Sequence, residues 1–301
     1  MNYGIPYKGS KNKIAENIIA QLPPAKHFYD LFGGGGAMTH CALLSGKYEF
    51  VHYNEFNPLV FKAFKMAING EFKGENRWIS KEDFERLKDT DPYVAICFSF
   101  GNNLKGYAYD KECEKFKKAV HYSIFFNDNS LLKEYAEMSY FKYSSENLKE
   151  RRLELQSYLM KLLREKKLNI DYGLSKSSIL QTQNKLEKCK SLFNNIKNVS
   201  NVTLNYTNLS YEQIPIEENS VIYCDPPYIN TSGYLDDFNH EKFYEWLRKC
   251  REKNQQVFIS EYQMPNDFYE IFSIKTWVSY SQKQNVCKLE KTVFNIKIQS
   301  D

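Results

Sequence analysis

The chain has 301 residues, 42% of them apolar and 16% aromatic, with 41 Lys and Arg against 37 Asp and Glu. That length can bury a sizeable core, most simply as one large domain carrying an insertion. No charged-then-apolar segment opens the chain and no apolar stretch reaches about 18 residues, so neither secretion nor membrane spanning is expected and the cytoplasm is the expected compartment. The seven cysteines form no CxxC pair and are odd in number, which argues against a disulfide framework or a structural zinc site; no metal is expected.

Charge is unevenly placed. Residues 101–200 hold 19 Lys and Arg against 12 Asp and Glu, a net of +7, so the remainder nets −3 within an overall +4. A basic middle in a slightly acidic frame suits a polyanion, although a solvated helical surface explains any single lysine equally well.

In chain order, Tyr7-Lys8-Gly9-Ser10-Lys11 precedes a helical pattern, with Ser10 as N-cap, Ile14, Ile18, Ile19 and Leu22 at core spacing, and Pro23-Pro24 ending it. Residues 27–32 read as a first strand that runs into Gly33-Gly34-Gly35-Gly36 and a helix from Ala37 to Leu44. Strand, glycine turn and helix is the layout that lets a nucleotide approach the backbone. The third glycine of the dinucleotide fingerprint and the Gly-Lys-Ser/Thr of a P-loop are both missing, which points to a nucleoside without phosphates. A second strand, Tyr48 to Tyr53, ends at Asn54-Glu55, where an acid is placed to bond ribose hydroxyls. Asn57-Pro58 opens another helix, Ser80 caps the next, and Tyr93 to Ser99 is expected to be a strand.

The loop that follows, Phe100 to Tyr109, holds Asn102, Asn103, Lys105 and Tyr107, side chains able to read base edges or stack on bases. From about 110 to 198 the pattern is helical and basic, with Leu155, Leu159 and Leu162 forming one stripe of a run from Asn147 to Leu168. Lys117, Lys118, Arg151 and Arg152 are the cations expected to meet that polyanion. The sheet pattern resumes at Val202 to Tyr206 and Val221 to Cys224, then a polar loop (229–238), a helix (239–254) and a strand (256–260). Strands at 273–280 and 292–298 close the chain as an antiparallel pair on an otherwise parallel sheet.

The stretch Val221 to Cys224 is apolar and uncharged, as a strand buried on both faces would be, and it stops at Asp225-Pro226-Pro227-Tyr228. Each proline fixes its own φ and pushes the residue before it toward extended geometry, so the Asp225 carboxylate and Pro226 carbonyl are held rigidly beside the Tyr228 ring. Two acceptors beside a flat ring suit a planar substrate bearing an amino group. A plain strand-terminating turn is the competing reading.

With these pieces placed, the chain resembles the DNA adenine methylase family. Asp30-x-Phe32-x-Gly34-x-Gly36 is similar to its cofactor motif, Tyr7-x-Gly9-Ser10-Lys11 to its amino-terminal cofactor motif, and Asp225-Pro226-Pro227-Tyr228 to its catalytic motif, in the order the family calls alpha. The resemblance implies a doubly wound, Rossmann-like α/β methyltransferase sheet with a terminal antiparallel hairpin. It divides the chain into a catalytic domain (1–99 and 200–301) and an inserted, mainly helical target-recognition lobe (100–199). It also implies S-adenosyl-L-methionine as cofactor, double-stranded DNA as substrate, and transfer of a methyl group to the amine of a flipped-out adenine. A restriction-modification system with a cognate endonuclease, or a phage or mobile element, is the implied setting, and a monomer or a weak dimer would serve. Tyr7, Lys11, Asp30, Phe32, Gly34, Gly36, Glu55 and Asp225 are the residues expected at the cofactor. The family's acid before the catalytic strand is missing from Asn208-Leu209-Ser210-Tyr211, leaving Ser210 or Asn208 nearest to its place. An RNA or protein-amide methyltransferase and a catalytically inactive DNA-binding relative stand as alternatives.

Overall fold

The computed structural model describes residues 1–170, 179–228, 238–253, 255–261, 264–279 and 286–296, with backbone alone described beyond residue 273. Five strands pair in parallel: β1 (His27–Asp30), β2 (Phe50–Asn54), β3 (Thr203–Thr207), β4 (Ser220–Cys224) and β5 (Gln256–Glu261). Two longer ones, β6 (Phe268–Ser279) and β7 (Val286–Ile296), pair antiparallel to each other, and β7 runs antiparallel to β5. The order across the sheet is β3-β2-β1-β4-β5-β7-β6. Strand order therefore reverses between β1 and β4, and the crevice outside the carboxyl ends of those two strands is where an open α/β sheet takes a ligand.

The period-2 alternation of β1 and β4 divides the core between two faces. Phe28, Val51, Val221 and Tyr223 pack with Ile18 and Ile19 of α1 (Ala15–Gln21) and Met38 and Ala42 of α2 (Ala37–Ser45). Tyr29, Ile222, Val257 and Ile259 pack on the other face with Phe243 and Leu247 of a late helix, His240–Glu252. β4 is buried along its whole length, as its charge-free sequence requires. Each fully buried Leu, Ile or Phe contributes about 1.5–3 kcal/mol, so the two faces together hold the ends of β1 and β4 in fixed register. Asp30 pairs with Tyr223 in that register, two residues before Asp225.

The chain divides into two compact units, Met1–Ile68 with Leu192–Asp301, and Asn69–Ser191. The second has its own core, in which Phe116, Val120 and Ile124 of Lys111–Phe126 meet Leu155, Leu159 and Leu162 of Leu148–Arg164. The stretch expected to be a strand at 93–99 is instead a helix, Pro92–Phe98. Asp91 caps it by accepting from the amides of Tyr93 (3.0 Å) and Val94 (3.3 Å), and Pro92 occupies the first turn, where its missing N–H costs nothing. All seven residues are buried, so the apolar run that reads as a buried strand is an equally buried helix. The compact unit begins at residue 69, whereas the sequence placed the insertion at 100–199. The polar loop 229–237, Tyr280, most of the Lys/Gln-rich connection (281–285) and residues 297–298 of the expected last strand lie outside the described residues.

Candidate active site

The glycine turn is built from both sides. The Ile5 amide donates to the Gly35 carbonyl (2.7 Å) and the Gly4 amide to His40 Nδ1 (3.1 Å), which clips the amino-terminal segment onto the turn and brings Tyr7 and Lys11 to it. Gly34 has φ +50°, and a Cβ there would stand 2.9 Å from the Tyr7 ring. Asn54 joins three strand ends: its amide donates to the carbonyls of Leu31 and Leu209, and its oxygen accepts from the Thr207 hydroxyl and the Leu209 amide. The Tyr53 hydroxyl donates to the Gly34 carbonyl at 2.8 Å. In the sequence Asn54 reads only as a strand end; its position beside the glycine strand was the one available signal.

The two acids of this region work on the backbone. Asp30 Oδ2 accepts from the Thr39 amide (3.1 Å) and hydroxyl (2.7 Å), tying the end of β1 to the first turn of α2. Burial pushes its carboxyl up to about 7, partly opposed by the Thr39 bonds and assisted by the charges of Asp225 and Glu55. Because the folded state then holds a proton that the unfolded chain releases near pH 4, stability falls as pH rises from about 4 to about 7 and is level above that window. Asp30→Asn, which keeps an acceptor for Thr39, is expected to flatten that slope; urea titrations at pH 5 and pH 8 showing the wild-type difference retained would count against it. Glu55 Oε2 accepts from the Gly34 amide (2.7 Å) and Oε1 from the Asn57 amide (2.8 Å). Burial raises its carboxyl above the usual range while those two bonds lower it.

Asp225 stands just past β4, and its carboxylate is ion-paired with the buried Lys11 ammonium through Oδ2. Its other oxygen, Oδ1, is buried and accepts no hydrogen bond among the described residues. Beyond it, His240 Nε2 donates to the Pro227 carbonyl (2.9 Å), and the Lys11 ammonium lies 5.1 Å from the centre of the Tyr228 ring. Burial, and after it the Asp225 charge, holds the Tyr228 phenol far above its ordinary range.

Tyr7, Lys11, Asp30, Phe32, Gly34 and Asp225 all line one cleft, together with Gly33, Gly35, Met38 and Tyr223. Gly36, Glu55 and Ser210 lie outside its lining. Gly36 abuts Phe64, Glu55 holds the Gly34 amide from behind, and Ser210 opens a short turn at Tyr211–Gln213 with its amide donating to Gln213 Oε1 (3.2 Å). Asn208 is occupied, donating to the carbonyls of Glu55 (2.6 Å) and Phe56 (3.0 Å). Those bonds leave two apolar side chains at the surface near the strand ends, Phe56 at 61% and Leu209 at 39% exposure, which the sequence did not single out.

Within the second unit the eight residues expected at DNA fare differently. Lys117 and Arg151 are buried rather than exposed. Burial lowers the Lys117 ammonium to about 8, and the Arg151 guanidinium is spent on Glu146 and the carbonyls of Ser145 and Ile124. Both were read as exposed because a basic run on a helix usually is. Arg152 is half-buried against Glu187 (2.9 Å) and Asn184 (3.1 Å). Tyr107 donates its hydroxyl to the Ile79 carbonyl (2.8 Å), and Asn103 Oδ1 accepts from the amides of Lys105 (2.9 Å) and Gly106 (3.2 Å), so both shape the loop. Lys105 and Lys118 are exposed, Asn102 is half-exposed at φ +59°, and Phe100 is 63% exposed.

Among the described residues no helix is long and apolar enough to cross a membrane, and no group of three His, Cys, Asp or Glu could hold a metal. A parallel sheet whose first strand runs into a glycine turn, with an Asp-Pro-Pro-Tyr turn at the neighbouring strand end and both in one cleft, defines the methyltransferase class of α/β enzymes. No curated protein matches the chain. Residues 7–296, nearly the whole length, match the family described as D12 class N6 adenine-specific DNA methyltransferase, and the chain belongs to that family. It is therefore an adenine-specific DNA methyltransferase, and DNA is its substrate.

Proposed function

We propose that the enzyme uses S-adenosyl-L-methionine to methylate the exocyclic amine of an adenine flipped out of double-stranded DNA. What supports this reading above all is that Asp225 and the glycine turn share one cleft. A planar amine held by the first would then face a methyl donor held by the second. The donor group fits the lining: backbone at the glycine turn that a nucleoside can approach closely, and a carboxylate, an ammonium and an aromatic ring for its polar and apolar parts. Tyr7, Lys11, Asp30, Phe32 and Gly34 would hold it, with Gly36 and Glu55 fixing the turn beneath. Phe56 and Leu209 would supply apolar walls for its adenine, with the Ser210 hydroxyl in the place of the absent acid. When bound, it offers an electrophilic methyl on a sulfonium.

The residues of the chain do the rest by position and charge. An adenine amine is a poor nucleophile because its lone pair is delocalised into the ring. Asp225 Oδ1 and the Pro226 carbonyl accept its two hydrogens, so the nitrogen can turn tetrahedral and direct that pair at the methyl. An unpartnered buried acceptor is costly unless a ligand satisfies it. Transfer would break the sulfonium's carbon–sulfur bond as the nitrogen–carbon bond forms, leaving a neutral thioether and a cationic nitrogen that the Asp225 charge stabilises until the extra proton passes to solvent. Tyr228 stacks on the base. Extrusion costs a few kcal/mol, offset by phosphate contacts from exposed cations of the second unit such as Lys105 and Lys118, with Asn102 reading bases beside them. A restriction-modification or mobile-element setting and a cytoplasmic location follow from the same reading.

The test is to treat unmethylated DNA with protein and S-adenosylmethionine and map N6-methyladenine at base resolution. Methylated adenines confined to one short sequence context are expected. Methylation found only in RNA or protein, or none at all, would overturn the reading.

A further inference from the structure

We propose that Ser260 is a positioning residue for methyl transfer: its hydroxyl anchors the far end of the Tyr228 ring beside Asp225. This rests on the function proposed above and assigns it a residue that none of the motifs contains. β5 lies in parallel register with β4, with Cys224 opposite Ile259, so the residues that follow, Asp225 and Ser260, come side by side at the carboxyl edge of the sheet. Ser260 is fully buried, and its Oγ lies 3.2 Å from the Tyr228 hydroxyl. A hydroxyl so placed is costly in a sheet core unless it makes hydrogen bonds.

A second phenol stands near it. The Tyr223 phenol is buried, and burial and then the Asp225 charge hold its ionisation well above the ordinary range while Ser260 beside it works the other way. A serine hydroxyl can accept from one phenol while its own hydrogen rotates toward another acceptor. The phenolic oxygen lies on the axis of the ring's second torsion, so a bond there fixes the first torsion and with it where the far end of the ring stands. Pinning the phenolic end holds the ring in one place, and the ring must stay over the planar base if the amine is to meet Asp225. The signal in the sequence was Ser260-Glu261 ending an apolar strand, with nothing to connect it to residue 228.

The test compares Ser260→Ala, Ser260→Thr, Tyr228→Phe and the double variant Ser260→Ala/Tyr228→Phe in the full-length protein. Ser260→Ala is expected to lower kcat about tenfold, the scale of one neutral hydrogen bond, with the KM for cofactor and the melting temperature unchanged. Ser260→Thr should restore most of the rate. Tyr228→Phe, which keeps the ring, should lose as much as Ser260→Ala, and the double variant no more than either. Turnover within twofold of wild type in Ser260→Ala, or losses that multiply in the double variant, would overturn the proposal. If Ser260→Ala does not fold, a Tyr228→Phe enzyme with wild-type kcat overturns it instead. Crystals of Ser260→Ala give a readout independent of turnover: a Tyr228 ring whose hydroxyl end is displaced supports the assignment and an unmoved ring sinks it. A wild-type protein that methylates no adenine would refute the proposed reaction, a result distinct from all of these.

Discussion

Asp225→Ala should abolish methyl transfer, lowering kcat by at least about a thousandfold, the upper range for losing one preorganised polar group at a reacting centre. The expectation has two parts that must be separated. One is chemical, since the variant has no acceptor to pull an amine hydrogen out of the adenine plane. The other is structural. Lys11 is buried at 4% exposure and its ammonium is paired with Asp225. Removing the carboxylate strands a buried cation, and breaking such a pair costs on the order of 3–5 kcal/mol. A dead Asp225→Ala enzyme could thus be merely unfolded. Asp225→Asn keeps the volume and an acceptor for Lys11 while losing the charge, and the pair Lys11→Met/Asp225→Ala removes both ions. We expect melting temperature to recover in the second of these variants and turnover in neither. Fluorescence anisotropy with duplex DNA should show binding within a few-fold of wild type. Activity within tenfold of wild type in Asp225→Asn would refute the role assigned to the carboxylate.

The site was legible where a residue's job depends on neighbours in sequence and obscure where it depends on neighbours in space. Asp225-Pro226-Pro227-Tyr228 announces itself because two prolines stiffen a turn after a charge-free strand. The glycine run announces a close approach of something to backbone. What it could not say is that Gly34 and Gly36 make room for Tyr7 and Phe64 of this chain, since those contacts come from tertiary packing. Asn54, His240 and Ser260 were not assigned to the site for the same reason: a hydrogen bond across a sheet leaves no spacing pattern. In the second unit the error ran the other way. Pro92 to Phe98 is wholly apolar and bounded by turn residues, and only the cap at Asp91 with Pro92 behind it separates helix from strand. Lys117 and Arg151 look like surface cations in sequence, yet both fall on the buried stripe of their helices, beside Phe116 and Leu155.

Gly36→Ala carries the largest expected loss of stability among single-methyl changes in the glycine turn. Gly36 caps α2 with φ +71°, and left-handed backbone costs an alanine about 1–2 kcal/mol. Its new Cβ would also meet a Phe64 ring atom at 2.0 Å. Phe64 cannot retreat easily, because it is fully buried and stacked at 4.0 Å on Tyr53, whose hydroxyl holds the Gly34 carbonyl. Overpacking of that kind adds about 1–3 kcal/mol, for a total of roughly 2–5 kcal/mol. Gly46 provides the control. It ends the same helix at φ +69° with nothing within 4 Å of the place a Cβ would take, so Gly46→Ala should cost only the backbone part, about 1–2 kcal/mol. Urea unfolding of the two variants then isolates the packing term, and Gly36→Ala/Phe64→Leu should recover most of it while leaving the backbone term. Equal losses at positions 36 and 46 would mean that Phe64 yields, and that the turn beneath the cleft is softer than its packing implies.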